Sequence, residues 1–525
     1  MEPSTPAGSL RWQHLLFLLV ITLAACFRLS DLAARNLWTD EAWVALAALA
    51  PTPGEALVLG RSTPPFYTLA LWSLAHIWGS SEAVLRSLSL VFGMGAVFFF
   101  WLLAKRLVPS GPALLGLALV SFSPVLVYFS KELKQYSGDA FFAVVLVYLA
   151  ERLRRHPRDL HWLALALVAF LALGFSHGAV FVLPVVLLSL GLDAAGGMRL
   201  RLLVLGAWLG LAGAGFYWFF YRHQVDPELL AYWRQDFPDF SGVLPFFTWL
   251  AGALARYAHY FFGDWGWTWG VPLTLLGLVL LWRQGPRQLL LYLGGPLFLA
   301  FLASAWHRYP FMGQFNGSRL LLFSAPFLYL TLAVGTHSVC RRLWMSPRRW
   351  SALALALLMV AAAQPLEIIR ENLHPRTNRQ ELKPLVAHLK ANLQPRDWVY
   401  VYYHAIFPFK YYHREPLPRV CWGKSCVERH LTFPAGHLEP PARLWVVAAH
   451  FQHLEEILRF AHTLLGPGWH LEKVITRTKT ALLLYNRKEQ SLAQSPAPLP
   501  GPQQSGPQDP SGEKVSGETL PPRPP

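Results

Sequence analysis

Apolar stretches near the length needed to cross a hydrocarbon core, about 17 to 25 residues, recur along the first two-thirds of this chain. They centre on residues 14–29, 83–104, 111–129, 138–151, 160–176, 178–192, 201–220, 269–282, 288–305, 319–338 and 350–364. About eleven spans are expected, some after moving a boundary by a few residues. A water-soluble fold has no place for so much apolar surface. Of the 525 residues 54% are apolar and 14% charged, where soluble chains carry about 25% charged. The chain reads as a polytopic α-helical membrane protein.

The formal net charge is +16. Its basic residues fall in short clusters between the apolar runs, which excludes a nucleic-acid-binding face and suits loops on an anionic leaflet. The clusters are Lys105-Arg106, 152–158, 199–201, 283–287 and 341–349, in alternate loops. The positive-inside rule makes these cytoplasmic, together with the N-terminus. The outer loops are then 30–82, 130–137, around 177, 221–268, 306–318 and everything after 365. Leu23-Ala24-Ala25-Cys26 looks like a lipoprotein cleavage box but reads as the end of the first span.

Three parts are expected: a membrane domain over 1–365, a small extracytoplasmic α/β domain over 366–487, and a disordered Pro-rich tail over 488–525. In the second part, 379–393 and 453–465 have helical periodicity, while 398–403, 444–449 and 480–485 read as strands. Cys421 and Cys426 could close a small disulfide in an oxidising compartment or remain two thiols. Cys26 and Cys340 sit in apolar runs as inert core residues.

Polar residues that could carry chemistry gather in the outer loops. The first contains Leu37-Trp38-Thr39-Asp40-Glu41-Ala42. Adjacent carboxylates beside a membrane are costly unless solvated or paired. They suit a general base, and equally the first turn of a helix. Both Asp40 and Glu41 are catalytic candidates, and the two readings can hold together with Asp40 catalytic and Glu41 structural. Arg61 precedes Pro64-Pro65-Phe66-Tyr67, and Arg86 opens the second span, where it could bind an anionic headgroup or snorkel to the interface. The 130–139 hairpin carries Lys131, Glu132, Lys134 and Tyr136. His177 begins a later span, and Arg319 opens another at headgroup level. Trp265, Trp267 and Trp269 read as an interfacial belt or a sugar-stacking platform. No P-loop, nucleophile elbow or metal-ligand spacing is present, so no metal and no cofactor are expected.

In order, these segments resemble the GT-C glycosyltransferases, specifically the bacterial relatives of protein O-mannosyltransferases and the lipid A aminoarabinose transferase family. The resemblance runs through Leu37–Ala42, Pro64–Tyr67, Gly79–Ser87, Ser123-Pro124, Tyr128–Tyr136 and Arg319 with Pro326, over roughly residues 10–340. It implies a GT-C fold in a bacterial inner membrane. It also implies inverting transfer of a sugar from a polyprenyl-phosphate-linked donor to a protein, lipid or glycan acceptor at the outer face. Asp40 would be the base. Lys134, Arg86 and Arg319 would hold the donor phosphate, with Glu132 and Tyr136 supporting them and Arg61 and His177 as further binding candidates. The family's Gln-Glu-x-Arg-x-Tyr is here Lys131-Glu132-Leu133-Lys134-Gln135-Tyr136, which keeps the charge and loses the arginine fork. Two rival readings are a flippase of lipid-linked saccharides and a non-catalytic envelope assembly protein. The first would put polar residues inside the spans, which are almost free of charge.

Overall fold

The computed structural model describes residues 7–60, 63–224, 231–264, 267–313, 317–345, 351, 353, 379–423 and 442–487, with side chains from residue 14. Each apolar run up to residue 338 coincides with helix. In chain order these are α1 (Ala7–Leu29), α5 (Glu82–Leu107), α6 (Ser110–Phe122) with α7 (Pro124–Ser130), α8 (Tyr136–Arg155), α9 (Asp159–Phe175), α10 (Ala179–Gly191), α11 (Gly197–Phe219), α13 (Gly270–Gln284), α14 (Arg287–Ala305) and α15 (Ala325–Trp344). The first outer loop folds into α2 (Thr39–Ala48), α3 (Pro53–Leu59) and α4 (Pro65–Trp78). The run at 350–364 lies outside the described residues.

Among the described residues, four helical segments are long and apolar enough to cross a bilayer: Glu82–Leu107, Gly197–Phe219, Arg287–Ala305 and Gly317–Trp344. A fifth is the α6–α7 pair, bent by 52°. The others are shorter or carry charge. One segment of the expected 221–268 loop is instead a 20-residue helix, α12 (Val243–Phe262). Arg256 and His259 interrupt its apolar run, so length and hydropathy pass over it, although its apolar residues keep helical spacing. Leu200, Leu203 and Leu211 of α11 project outward, as lipid-facing residues must.

The loops sort to two ends. At one, Arg155 donates to the Arg106 carbonyl (2.6 Å), Arg154 pairs with Asp193 (2.8 Å) and Arg201 with Asp159 (2.6 Å). At the other, the 30–60, 63–64, 130–137, 176–178, 221–224 and 317–319 segments meet one another and the C-terminal domain.

The bend between α6 and α7 follows from Pro124, which has no N–H to donate. Ser123 caps α7 through Leu126 N (3.4 Å) and also meets the Tyr329 hydroxyl (2.7 Å). The carbonyls freed at the end of α6 are taken by Arg28, which donates to Ser121 O (2.7 Å), Val120 O (3.3 Å) and the Ser130 hydroxyl (3.2 Å). A charge in the last turns of α1 is thus held at the negative end of another helix.

Helices α13 and α15 touch through Gly277 and Gly335. A Cβ on Gly335 would collide with the Leu273 carbonyl, and one on Gly277 with the Thr331 carbonyl. Both obstacles are backbone, so neither can swing aside. Gly335→Val is expected to destabilise the protein by about 1–3 kcal/mol, read as a lowered unfolding temperature in detergent. Unchanged unfolding would mean the two helices do not pack this way.

Beyond residue 378, β1 (Trp398–Val401), β2 (Val420–Trp422), β3 (Arg443–Ala449), β4 (Trp469–Arg477) and β5 (Thr480–Arg487) form one sheet in the order β2-β1-β3-β5-β4. β1 pairs parallel with β2 and β3, while β5 runs antiparallel between β3 and β4. α16 (Leu382–Asn392), α17 (Ile406–Tyr412) and α18 (Leu454–Leu465) complete the domain. β3 and β5 are buried on both faces, so they are continuous apolar runs. β2 and β4 are more exposed edge strands, and their weak patterning is why they escape a reading of the sequence. Cys421 is disulfide-bonded, whereas Cys26 and Cys340 are free. Cys426, the 366 boundary and the tail lie outside the described residues.

Candidate active site

Two adjacent acids at the start of α2 meet opposite fates. The preceding Trp38 is extended (φ −87°, ψ 175°), and the helix begins at Thr39 with Asp40 and Glu41 in its first turn. Successive helical residues point about 100° apart. Glu41 therefore turns into the protein while Asp40 stays partly exposed on the side of Arg319.

Glu41 is 2% exposed and paired with Arg86, which is 0% exposed. Its Oε1 accepts from Arg86 Nε (2.8 Å) and Leu133 N (2.8 Å), and its Oε2 from Arg86 Nη2 (2.7 Å). The remaining Arg86 donors reach the carbonyls of Leu32 (2.9 Å), Arg35 (2.8 Å) and Asn36 (3.4 Å). Burial alone would raise the Glu41 pKa, but the Arg86 guanidinium outweighs it and holds the carboxyl below its ordinary value. Arg86 has five N–H donors, and all are committed. Glu41 is thus paired inside the protein, as its structural reading expects, and the Arg86 donors that were expected to meet a phosphate are taken up within the protein. Together they pin the first outer loop to α5 and to the 130–137 hairpin.

Asp40 keeps a side chain 32% exposed and lies 3.9 Å from Arg319 Nη2, at the outer limit of an ion pair. Arg319 lies over the rings of Tyr136 (5.6 Å) and Trp233 (5.9 Å). Its Nε is buried with no hydrogen-bond partner among the described residues. Lys134 joins them: Asp40 and Glu132 attract its ammonium, and Arg319 repels it. Burial lowers the Lys134 pKa below the ordinary lysine value, with Asp40 opposing that shift. Glu132 is buried, accepts from Trp38 Nε1 (3.1 Å) on Oε1, and leaves Oε2 without a partner among the described residues. Asp40, Glu132, Lys134, Tyr136 and Arg319 thus come together.

His177 stands beside them, its Nδ1 3.4 Å from Gln135 Nε2 and its ring 5.5 Å from Tyr221. Burial pushes its pKa down to about 4, so the imidazole is neutral. Arg61 lies outside the described residues. Trp265 does too, while Trp267 and Trp269 are exposed, as interfacial residues are. Among the described residues no group of three or more His, Cys, Asp or Glu could hold a metal ion.

The C-terminal domain reaches the same place, which the sequence does not announce. Gln380 Oε1 accepts from Thr39 N (3.1 Å) and Oγ1 (3.0 Å), and its Nε2 meets His450 Nδ1 (2.8 Å). Thr39 also donates to the His404 carbonyl (2.7 Å), Leu37 N donates to the Tyr412 hydroxyl (2.7 Å), and Trp43 stacks on Phe407 (5.5 Å). Arg379 lies over Trp38 (4.5 Å) and Tyr128 (4.8 Å). In the sequence Arg379 and Gln380 are only the polar start of a helical run.

The site is thus built where a helical bundle, its acid-bearing α2 and a C-terminal α/β domain meet. Residues 62–218 match the family described as dolichyl-phosphate-mannose-protein mannosyltransferase. In fold the chain is similar to the apo crystal structure of ArnT from Cupriavidus metallidurans, with a TM-score of 0.55 at 12% identity, covering 91% of this chain and 98% of that one. The same protein bound to undecaprenyl phosphate gives a TM-score of 0.54 at 13% identity, with the same coverage. The apo oligosaccharyltransferase of Archaeoglobus fulgidus gives 0.52 at 12% identity, covering 90% of this chain and 75% of that one. No curated protein sequence matches the chain significantly.

Proposed function

We propose that the protein is an inverting glycosyltransferase that moves a sugar from a polyprenyl-phosphate carrier to an acceptor at the extracytoplasmic face of a bacterial inner membrane. One observation carries this reading: of the two acids, Glu41 is neutralised inside the protein, while Asp40 stays accessible beside Arg319 and Lys134. That is the disposition a base and a leaving-group anion require.

Asp40 takes the proton of the acceptor nucleophile. The nucleophile's electron pair attacks the anomeric carbon from the face opposite the phosphate. The bond between that carbon and the phosphate oxygen breaks, and its electrons leave with the polyprenyl phosphate. Negative charge grows on that oxygen, and preorganised cations stabilise it best where water is scarce. Lys134 and Arg319 supply them. Tyr136 supports Arg319 from below, and Glu132 anchors Trp38 beside the pocket. The disulfide at Cys421 accords with an oxidising compartment for the C-terminal domain.

The test is transfer by the purified protein in nanodiscs, using a panel of labelled polyprenyl-phosphate sugars with protein, lipid and glycan acceptors. Release of polyprenyl phosphate together with a labelled acceptor of inverted configuration is expected. Failure with every lipid-phosphate donor would remove the proposal, and donor crossing the bilayer without transfer would favour a flippase.

A further inference from the structure

We propose that Arg379 is a third cationic ligand of the donor phosphate, so that the C-terminal domain supplies part of the lipid-phosphate site. The inference rests on the glycosyltransferase reading above.

Gln380 is 0% exposed, and its amide is bonded to both Thr39 and His450. Those bonds hold residue 380 against the first turn of α2, one residue from Asp40. The neighbouring Arg379 is thereby carried to the rings of Trp38 and Tyr128. A guanidinium stacked on rings engages them with its flat face, which leaves its N–H edge for an anion. Trp38 is also the residue that donates to Glu132. Arg379, Glu132 and the acid-bearing loop therefore share one wall.

The charges there do not balance. Arg319 repels both Lys134 and Arg379, and Tyr260 feels both Arg319 and Arg379, which places the three cations around one space. Asp40 and Glu132 act on this group, and Glu41, already paired with Arg86, acts on Lys134. Arg35 lies over the same Tyr128 ring as Arg379 (5.2 Å), so the cations outnumber the unpaired carboxylates. Like charges at close range cost free energy unless an anion lies between them. A phosphodiester supplies negative charge to that positive excess. The lipid-phosphate product carries more, so the same cations favour departure of the leaving group. Arg379 adds the planar donor fork that this chain lacks at Lys134.

The probe is undecaprenyl phosphate, titrated against the full-length protein in detergent and read by the change in tryptophan fluorescence. Arg379→Ala is expected to weaken binding about 10- to 100-fold. Arg379→Lys should recover part of the loss. Lys383→Ala, which removes an exposed pair with Glu82 on the same segment, should bind as wild type. Arg379→Gln keeps a planar group on the rings and is titrated in parallel, in case the alanine variant does not fold. Wild-type affinity in Arg379→Ala or Arg379→Gln overturns this inference and leaves the glycosyltransferase reading standing. Wild-type protein with no affinity for undecaprenyl phosphate overturns that reading itself.

Discussion

Asp40→Asn is expected to lower sugar transfer by about 10²- to 10⁴-fold, equivalent to roughly 3–5 kcal/mol of activation free energy. The amide keeps the size and shape of the carboxylate and loses its ability to take a proton. Polyprenyl-phosphate binding should survive or tighten, because a negative charge 3.9 Å from Arg319 is removed beside the expected phosphate. The measurement is a paired one on the same preparation: transfer from a labelled donor, and equilibrium binding of the carrier phosphate. Transfer within about tenfold of wild type would take the role of base from Asp40. Loss of carrier binding would make Asp40 an organiser of the pocket instead.

The second large effect concerns stability. Arg86→Met should destabilise the protein by about 3–5 kcal/mol, because it strands the Glu41 carboxylate in the interior. Glu41→Leu should cost a similar amount by stranding Arg86. The double variant should be less destabilised than the sum of the two, and a double-mutant cycle of unfolding temperatures in detergent reads the difference. Additive losses would mean the two side chains are not coupled. The pair also predicts acid sensitivity. Arg86 depresses the Glu41 pKa below its ordinary 4.5. Its contribution is therefore complete at pH above 4.5 and is lost as pH falls through the folded-state value.

Much of this was written in the sequence because membrane burial and the helical period leave plain traces. Apolar length located the helices, and basic clusters marked one end of the bundle. Two things could not be read there. The first is which of Asp40 and Glu41, adjacent in sequence and chemically alike, is buried: a structural Glu41 is one reading among others. The choice is decided by the rotation of α2, which brings Glu41 and not Asp40 to Arg86. The same blindness made Arg86 look like a headgroup ligand. An arginine near a membrane surface has the same sequence signature whether its partner is a lipid or a carboxylate 45 residues away. The second is the contribution of Arg379, Gln380 and His450. Arg379 and Gln380 meet residues hundreds of positions away and His450 meets Gln380 from 70 positions away, and no local pattern encodes such pairings. α12 was hidden for a different reason: two basic residues break its hydropathy but not its helix.

The bond between Thr39 and Gln380 has a bearing on how the protein is made. The two residues are 341 positions apart. At about 5–20 residues per second, synthesis takes roughly 17–70 s to cover that distance. Through that interval α2 is without the domain that clamps it. A nascent chain, or one cut short before residue 379, has Asp40 but not its neighbours from the C-terminal domain. On the proposed reading, catalytic competence is acquired late, when the C-terminal domain docks on a loop that emerged among the first.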